Sequence, residues 1–484
     1  MKLFTIKKTL PCAVVLALSA CVSIPEDNGA LPQRDMARAQ LAQSIRLTRD
    51  GWPPALWWTG YHDAQLNALI TQALKDSPNM QSANARFATA RAALQLSQSE
   101  EGFKVDADAN VTRQRYSANG FFPPPLGGAY FTEITPQIVA SYNFDWWGKH
   151  KAAIGAALGE VNARLAENAE AEQTVVAGVA QSYFILQGEW ARLANLRQIE
   201  SLQTELVADK VKRIAHGVAA SDSERSAEIE LDNTRLQITR LETQIARERE
   251  SLRALVGADA SGLKDLVAWP LPATTPALPG KLGMDLLARR PDLQAARWRV
   301  EASLERVDAT KASFYPDINL SAAIGSDVIS FEDLLKYPSR TLLIGSTFNL
   351  PLFDSGRLQA RLAGSRSQRN EMIADYNLAV VTAVREIAQE GVSLQGVQKQ
   401  IAQQEAVTNV SKALLQGAQA RYKQGLADHS SLLTASLAVQ RQTDAELQLQ
   451  SQQIQNEIAL VKALGGGYVV PNSAPEAQTT VSQK

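Results

Sequence analysis

A chain of 484 residues, 45% hydrophobic and 20% charged, is long and apolar enough to bury a large core, which excludes disorder over most of its length. Its formal net charge of −1 removes the electrostatic case for a nucleic-acid partner, because a polyphosphate backbone demands a concentrated basic surface.

The chain opens on an export signal, residues 1–20. Lys2, Lys7 and Lys8 precede the apolar stretch Cys12-Ala13-Val14-Val15-Leu16-Ala17-Leu18, and small Ser19-Ala20 follow. The apolar part is too short for a permanent membrane helix. Leu18-Ser19-Ala20-Cys21 resembles the bacterial lipobox, which implies that Cys21 becomes a lipidated N-terminus. Val22, in place of an aspartate, resembles lipoproteins sorted to the outer membrane. Several acyl chains anchor stably where one binds reversibly. An ordinary signal that happens to end near a cysteine is the alternative. Residues 21–60 form the expected lipidated N-terminal segment. Cys12 leaves with the signal, so no disulfide forms and packing alone must supply stability. After Cys21 no uncharged apolar run reaches about 18 residues, so any membrane crossing must use β-strands.

Residues 61–257 read as helix, helix, strand, strand, long helix, long helix. Apolar and polar residues alternate from Val105 to Arg113, which predicts a strand over about 105–116, with a partner over about 134–146. A loop with Pro123-Pro124-Pro125 and Gly127-Gly128 separates them. Ile154, Leu158, Val161 and Leu165, then Val175, Val179, Tyr183 and Leu186, keep a helical rhythm. No proline interrupts Gly148 to Gly217, so one helix over about 148–216 extends about 100 Å at 1.5 Å per residue. A second helix, about 220–256, carries Ile238, Leu241, Ile245, Leu252 and Leu255.

A Pro- and Ala-rich linker, 258–280, leads into residues 281–467, which repeat the order with strands about 317–326 and 340–353 and helices about 356–424 and 428–464. The linker and the region around Trp57-Trp58 are expected to form a belt. The tail, 468–484, is polar and expected to be flexible. Gly148 with Gly356, Gly217 with Gly425, and Gly257 with Gly465 all lie 208 positions apart. A constant offset without insertion or deletion is what two long helices of fixed length require. On the helices alone an antiparallel coiled coil fits as well; the strands change that reading.

Four strands cannot close a barrel, and an open sheet edge in hydrocarbon leaves backbone groups unpaired at several kcal/mol each. Two copies give 8 strands and a filled interior, while three give 12 and room for water. The fold class is therefore mainly α with a membrane β-barrel: two structural repeats per chain, and a trimeric 12-stranded barrel that continues into an α-helical periplasmic tunnel.

The segments Phe144-Asp145-Trp146-Trp147-Gly148-Lys149, Leu287-Ala288-Arg289-Arg290-Pro291-Asp292-Leu293, Pro351-Leu352-Phe353-Asp354-Ser355-Gly356-Arg357 and Leu464-Gly465-Gly466-Gly467 together resemble the TolC/OprM superfamily of outer-membrane factors, in its lipoprotein branch, over about residue 50 to Gly467. The resemblance implies an outer-membrane channel of a tripartite efflux pump, a passive exit duct for drugs or small compounds, aromatic ones among them, lipid-anchored at Cys21 with the tunnel in the periplasm. It implies a homotrimer working with a periplasmic adaptor protein and an inner-membrane transporter whose class stays open. A duct for secreted proteins on the same fold is the alternative, followed by the adaptor itself, which should show one hairpin with β-rich modules.

Gly217 and Gly425 mark equivalent helix-hairpin turns, where a left-handed residue ends one helix and Ser221 or Asp428 caps the next. The resemblance makes Gly217, Val218, Ala219, Gly425, Leu426 and Ala427 the adaptor-contact tips. Several members of the resembled family close the duct with aspartates at the sixth and ninth positions after the second glycine; here those positions are Ser431 and Thr434. The expected gate is a constriction of Leu432, Leu433 and Thr434, beside Ser431 and with Asp428 the nearest carboxylate, and cations should block it weakly. Trp146 and Trp147 are expected at the membrane interface or packed in the strand-to-helix corner. His62, His150, His216 and His429 lie at no metal-ligand spacing, and no phosphate loop or nucleophile elbow appears. The paired acids Glu100-Glu101 and Glu167 with Glu170 read as solvated faces. Neither an enzyme, a metal nor a cofactor is expected.

Overall fold

The computed structural model describes residues 24–35, 38, 40–42, 44–47, 49–218, 220–274 and 276–469. The expected signal peptide, the lipidation site Cys21, tip residue Ala219 and most of the flexible tail lie outside the described residues. The helices are α1 (Ala64–Asp76), α2 (Pro78–Glu100), α3 (Lys149–Ala215), α4 (Ser221–Val256), α5 (Gly283–Arg289), α6 (Pro291–Ala312), α7 (Arg357–Lys423) and α8 (His429–Ala463). The strands are β1 (Lys104–Arg115), β2 (Tyr130–Phe144), β3 (Asp317–Ser326) and β4 (Arg340–Asn349). The order helix, helix, strand, strand, long helix, long helix thus occurs twice.

The chain divides into two compact units. The first holds the described residues up to Gln33, Ala88–Ala163 and Ala296–Asp375. Its four strands form one antiparallel sheet in sequence order, β1-β2-β3-β4. β2 begins at Tyr130 and ends at Phe144, so Trp146 falls outside the strand, and β4 stops at Asn349 rather than at Phe353. Pro351 has no N–H to extend a ladder. After β2, Asp145 ends the extended run by accepting the Lys151 N–H at 2.8 Å; after β4, Asp354 accepts from Leu358 at 2.9 Å. These carboxylates open α3 and α7 by taking up N–H groups that a helix start leaves free. Val307, Phe314, Leu358 and Leu362 form a buried cluster against which Ile24 packs. Just beyond it Asp27 accepts two bonds from Arg369, at 2.7 and 3.1 Å. Those bonds, with Arg369 and Arg366 as charges, hold the Asp27 carboxyl at about 2.

The second unit holds Arg34–Phe87, Arg164–Ala295 and Tyr376–Lys484. Its largest core joins Trp57, Leu66 and Ile70 to Val175, Val179, Tyr183 and Leu186 on α3, Leu252 and Val256 on α4, and Ile454 and Ile458 on α8. Trp58 packs at its margin. Asp63 caps α1 by accepting from the Gln65 and Leu66 N–H groups, and its other oxygen accepts the Tyr183 hydroxyl at 2.5 Å. The N-terminal segment meets the linker where Arg49 pairs with Ala277, and Asp50 accepts the Gly280 N–H at 2.9 Å. Arg290, nearly buried, bridges Asp292 and Glu386 and donates to the Ala463 carbonyl at 2.9 Å. Beside it Gly465, Gly466 and Gly467 all take positive φ, and a Cβ on any of them would overlap Arg289, Gln173 or Pro54. The Arg-Pro-Asp and triple-glycine segments thus form one corner in which backbone leaves no room for a side chain at Gly465 or Gly467.

The helical rhythm marks buried positions well between Val175 and Leu186, but Leu158 and Leu165, on the same pattern, are exposed. Periodicity locates a face and does not say what covers it.

Glu189 on α3 is 5% exposed and neither of its oxygens has a hydrogen-bond partner. Burial, with Glu248 nearby, pushes its carboxyl up to about 7. A folded-state value above the unfolded one gives an acid stability that is present at low pH and lost as pH rises from the ordinary carboxylate range to about 7. Glu189→Gln should therefore stabilise the helical unit by about 2 to 3 kcal/mol at pH 8, and by much less at pH 5. Thermal melting followed by circular dichroism at the two pH values checks this.

Candidate functional site

The sheet has two unlike faces, set by strand alternation and register. On one face lie Val105, Ala107 and Val111 of β1, Ile134, Ile138 and Phe144 of β2, Ile318 and Ile324 of β3, and Leu342, Ile344 and Phe348 of β4. Many of these large apolar side chains are exposed. The other face carries Lys104, Asp106, Asp108 and Asn110, then Glu133, Gln137 and Asn143, then Asp317, Asn319 and Ser321, then Thr341 and Thr347. At the helix end of the sheet Tyr142 and Phe144 meet edge to face at 4.9 Å, and Trp146 lies 6.1 Å beyond Phe144. Trp147 stacks on Tyr315 at 4.7 Å, and its Nε1 donates to the Pro316 carbonyl at 2.8 Å. Trp146 is therefore an outward aromatic, while Trp147 is half-exposed and fastened into the strand-to-helix corner.

Both long hairpins turn through a glycine at φ +70. The Gly217 N–H donates to Ile214 and that of Val218 to Arg213; Gly425 donates to Tyr422 and Leu426 to Arg421. This pairing closes the last carbonyls of a helix and needs a left-handed residue at the glycine. Val218 is 64% and Leu426 72% exposed, so each turn presents one large apolar side chain, while Ala427 is half-buried.

Asp428 is the N-cap of α8, accepting both the N–H and the hydroxyl of Ser431, at 2.9 and 2.5 Å. Those two bonds, with the adjacent Arg213 guanidinium, hold its carboxyl at about 2. Ser221, expected as the corresponding cap in the first hairpin, is instead the first residue of α4; Ala220 holds the cap position and supplies no side-chain bond. Next to Asp428, Ser430 donates to Asp209 at 2.5 Å, and His429 lies 3.5 Å from Glu205 and 3.8 Å from Asp209. α3 and α8 are thus tied by three consecutive residues, 428–430, a connection sequence reasoning missed because its partners are more than 200 positions apart.

Ser431, Thr434 and Ala438 share an exposed, uncharged face of α8, with Leu432 half-buried beside it. Leu433, expected to line the constriction, is only 4% exposed and points into the protein, because the one-residue step from Leu432 turns it by about 100° around the helix. Among the described residues no group of three metal-ligating side chains occurs, and no helix is long and apolar enough to cross a membrane.

Residues 69–258 and 282–466 match the protein family described as Outer membrane efflux protein. The chain belongs to that family. The efflux family's multidrug resistance outer membrane protein MdtP of Escherichia coli (strain K12) is 36% identical over 96% of this chain and 97% of its own length. The outer membrane protein VceC of Vibrio cholerae, 31% identical, superposes with a TM-score of 0.78 over 86% of this chain and all of its own. The outer membrane channel CmeC of Campylobacter jejuni, at 20% identity, shares the fold with a TM-score of 0.80 over 93% of this chain and 94% of its own.

Asp428→Ala removes the cap bonds and half of the ion pair, and should cost about 1 to 2 kcal/mol locally. Amide exchange in residues 429–435 at pH 7 should then quicken roughly fivefold or more. Ser221→Ala, at a position without a cap bond, should leave exchange in α4 unchanged. A depressed carboxyl loses its stabilisation only as pH falls toward about 2, so the wild-type cap should be as protective at pH 5 as at pH 7.

Proposed function

We propose that three copies of this chain form the outer-membrane duct of a tripartite efflux pump, a 12-stranded barrel that opens into a helical periplasmic tunnel. The observation that carries this reading is the sheet: one apolar and one polar face, two free edges, and a 67-residue helix following each strand pair. From Ile134 to Phe144 the apolar side of β2 runs about 34 Å along the strand, or about 26 Å in height at a tilt of about 40°, close to the band of an outer-membrane barrel. The polar face then lines the water-filled interior, Trp146 lies at the periplasmic interface, and Cys21 carries the lipid anchor.

In this reading Val218 and Leu426, with Gly217, Ala219, Gly425 and Ala427, meet the hairpin tips of a periplasmic adaptor, and an inner-membrane transporter supplies the energy. The cargo is drugs or small compounds, by analogy with the multidrug-resistance name of MdtP. The gate is the neutral face of Ser431, Thr434 and Leu432, with Asp428 engaged by Arg213 and Leu433 anchoring from behind. The chain performs no covalent chemistry.

The detergent-extracted protein should have the mass of three chains and conduct in planar bilayers. A single water-soluble subunit without conductance overturns the reading. Magnesium ions on the tip side should block the current weakly, since hydroxyls hold a divalent cation far less well than an aspartate ring. Ser431→Asp with Thr434→Asp should introduce strong block.

A further inference from the structure

The apolar face of the sheet ends in a basic rim. Arg113 and Arg115 on β1 and Arg340 on β4 lie on the same face as Val111, Ile134 and Leu342, all at the loop end, farthest from the helices. All three are exposed, and among the described residues none has an ion-pair partner. The guanidinium groups of Arg113 and Arg115 each lie 6.0 Å from the Tyr130 ring, and that of Arg340 lies 5.2 Å from the Tyr337 ring. Arg115 Nε also donates to the Gly128 carbonyl at 3.1 Å.

An arginine on a lipid-facing strand costs about 2 to 4 kcal/mol at the membrane midplane and about 0 to 1 near the headgroups. Three of them at one end of one face therefore belong at headgroup level, where their unused donors meet anions. Beneath Arg340 the same face dips: Ala107 and Ala109 are too small to fill the space that Ile138, Ile324 and Leu335 border, leaving an open groove of about 580 Å³. Asp108 and Gln137, paired across β1 and β2, also border it, but strand alternation aims both side chains at the polar side. An apolar groove with a guanidinium at its mouth fits an acyl chain beneath a phosphate.

We propose that Arg113, Arg115 and Arg340, with the groove beneath Arg340, bind a phosphorylated lipid of the outer leaflet, the phosphates on the guanidinium groups and an acyl chain in the groove. The inference rests on the barrel reading above, and gains from it. β1 and β4 are the two edge strands. Closing a ring of copies sets Arg340 of one chain beside Arg113 and Arg115 of the next, so each junction carries three guanidinium groups and a bisphosphorylated headgroup bridges two chains.

The test uses the purified full-length channel in mild detergent, with lipid A bearing both phosphates, dephosphorylated lipid A and inorganic phosphate as probes, and native mass spectrometry as the readout. The wild type should retain the bisphosphorylated lipid and not the dephosphorylated one, and inorganic phosphate at equal concentration should not displace it. The triple variant R113Q/R115Q/R340Q should keep the three-chain mass and lose about tenfold or more in affinity. Should that variant fail to assemble, the single variant Arg340→Gln should show a partial loss, and replacement of all three by lysine should bind in between. Equal binding by wild type and triple variant, or equal binding of the two lipids, overturns the proposal; displacement by free phosphate reduces the rim to a general anion site and overturns it as well. A wild-type sample that stays a single chain instead overturns the barrel reading, so the two failures are distinguishable.

Discussion

The outer edges of β1 and β4 carry backbone N–H and C=O groups that a four-stranded sheet has no strand to pair. In water such edges are managed by solvent or by charge; in hydrocarbon each unpaired group costs several kcal/mol. The apolar face, with Val105, Val111, Ile138, Ile324, Leu342, Ile344 and Phe348 exposed, commits the sheet to a hydrocarbon environment. Once it is there, only pairing of β4 in one copy with β1 in the next satisfies the edges. In the proposed channel the assembly, its hollow interior and the path for cargo all descend from that one requirement.

The helices carry the same message in a different chemistry. Val407, Val410 and Leu414 on α7 step by three and four residues and are all exposed, as are Ile229 and Leu236, seven apart on α4. Fully burying one such side chain is worth about 1.5 to 3 kcal/mol, so a repeated stripe left open in one chain marks a surface for another helix. The buried clusters within the chain, such as Leu193, Leu196 and Ile199 against Ile238, Leu241 and Leu437, hold the helical unit together without it.

The order of helices and strands and the turns were legible in the sequence because they rest on local chemistry. Alternation placed β1, the absence of proline allowed a 67-residue helix, and two glycines 208 positions apart fixed the hairpin turns. What stayed illegible depends on neighbours. Ser221 has the right residue type for a cap but lies one position inside the helix, where its hydroxyl cannot take up the first N–H groups. Leu433 shares hydrophobicity with Leu432, and only the helix around it decides which faces inward. Arg113, Arg115 and Arg340 are unremarkable in a linear reading; the register of the sheet brings them to one rim.

In the proposed channel the contacts at the hairpin turns set how little energy holds the duct shut. The Arg213–Asp428 pair is partly exposed, and exposed pairs contribute about 0 to 1 kcal/mol. The Ser430–Asp209 hydrogen bond adds about 1 kcal/mol more. The hydroxyls of Ser431 and Thr434 donate their protons to Asp428 and to the Ser430 carbonyl, so the face they form has no free proton to donate and presents only neutral oxygens. A tie of a few kcal/mol lies within the range that one apolar contact at Val218 or Leu426 supplies on binding a partner. In the proposed channel the adaptor's docking energy and the tip's closing energy are therefore matched in scale, and the exposed turn residues, rather than the gate face, are where opening is driven.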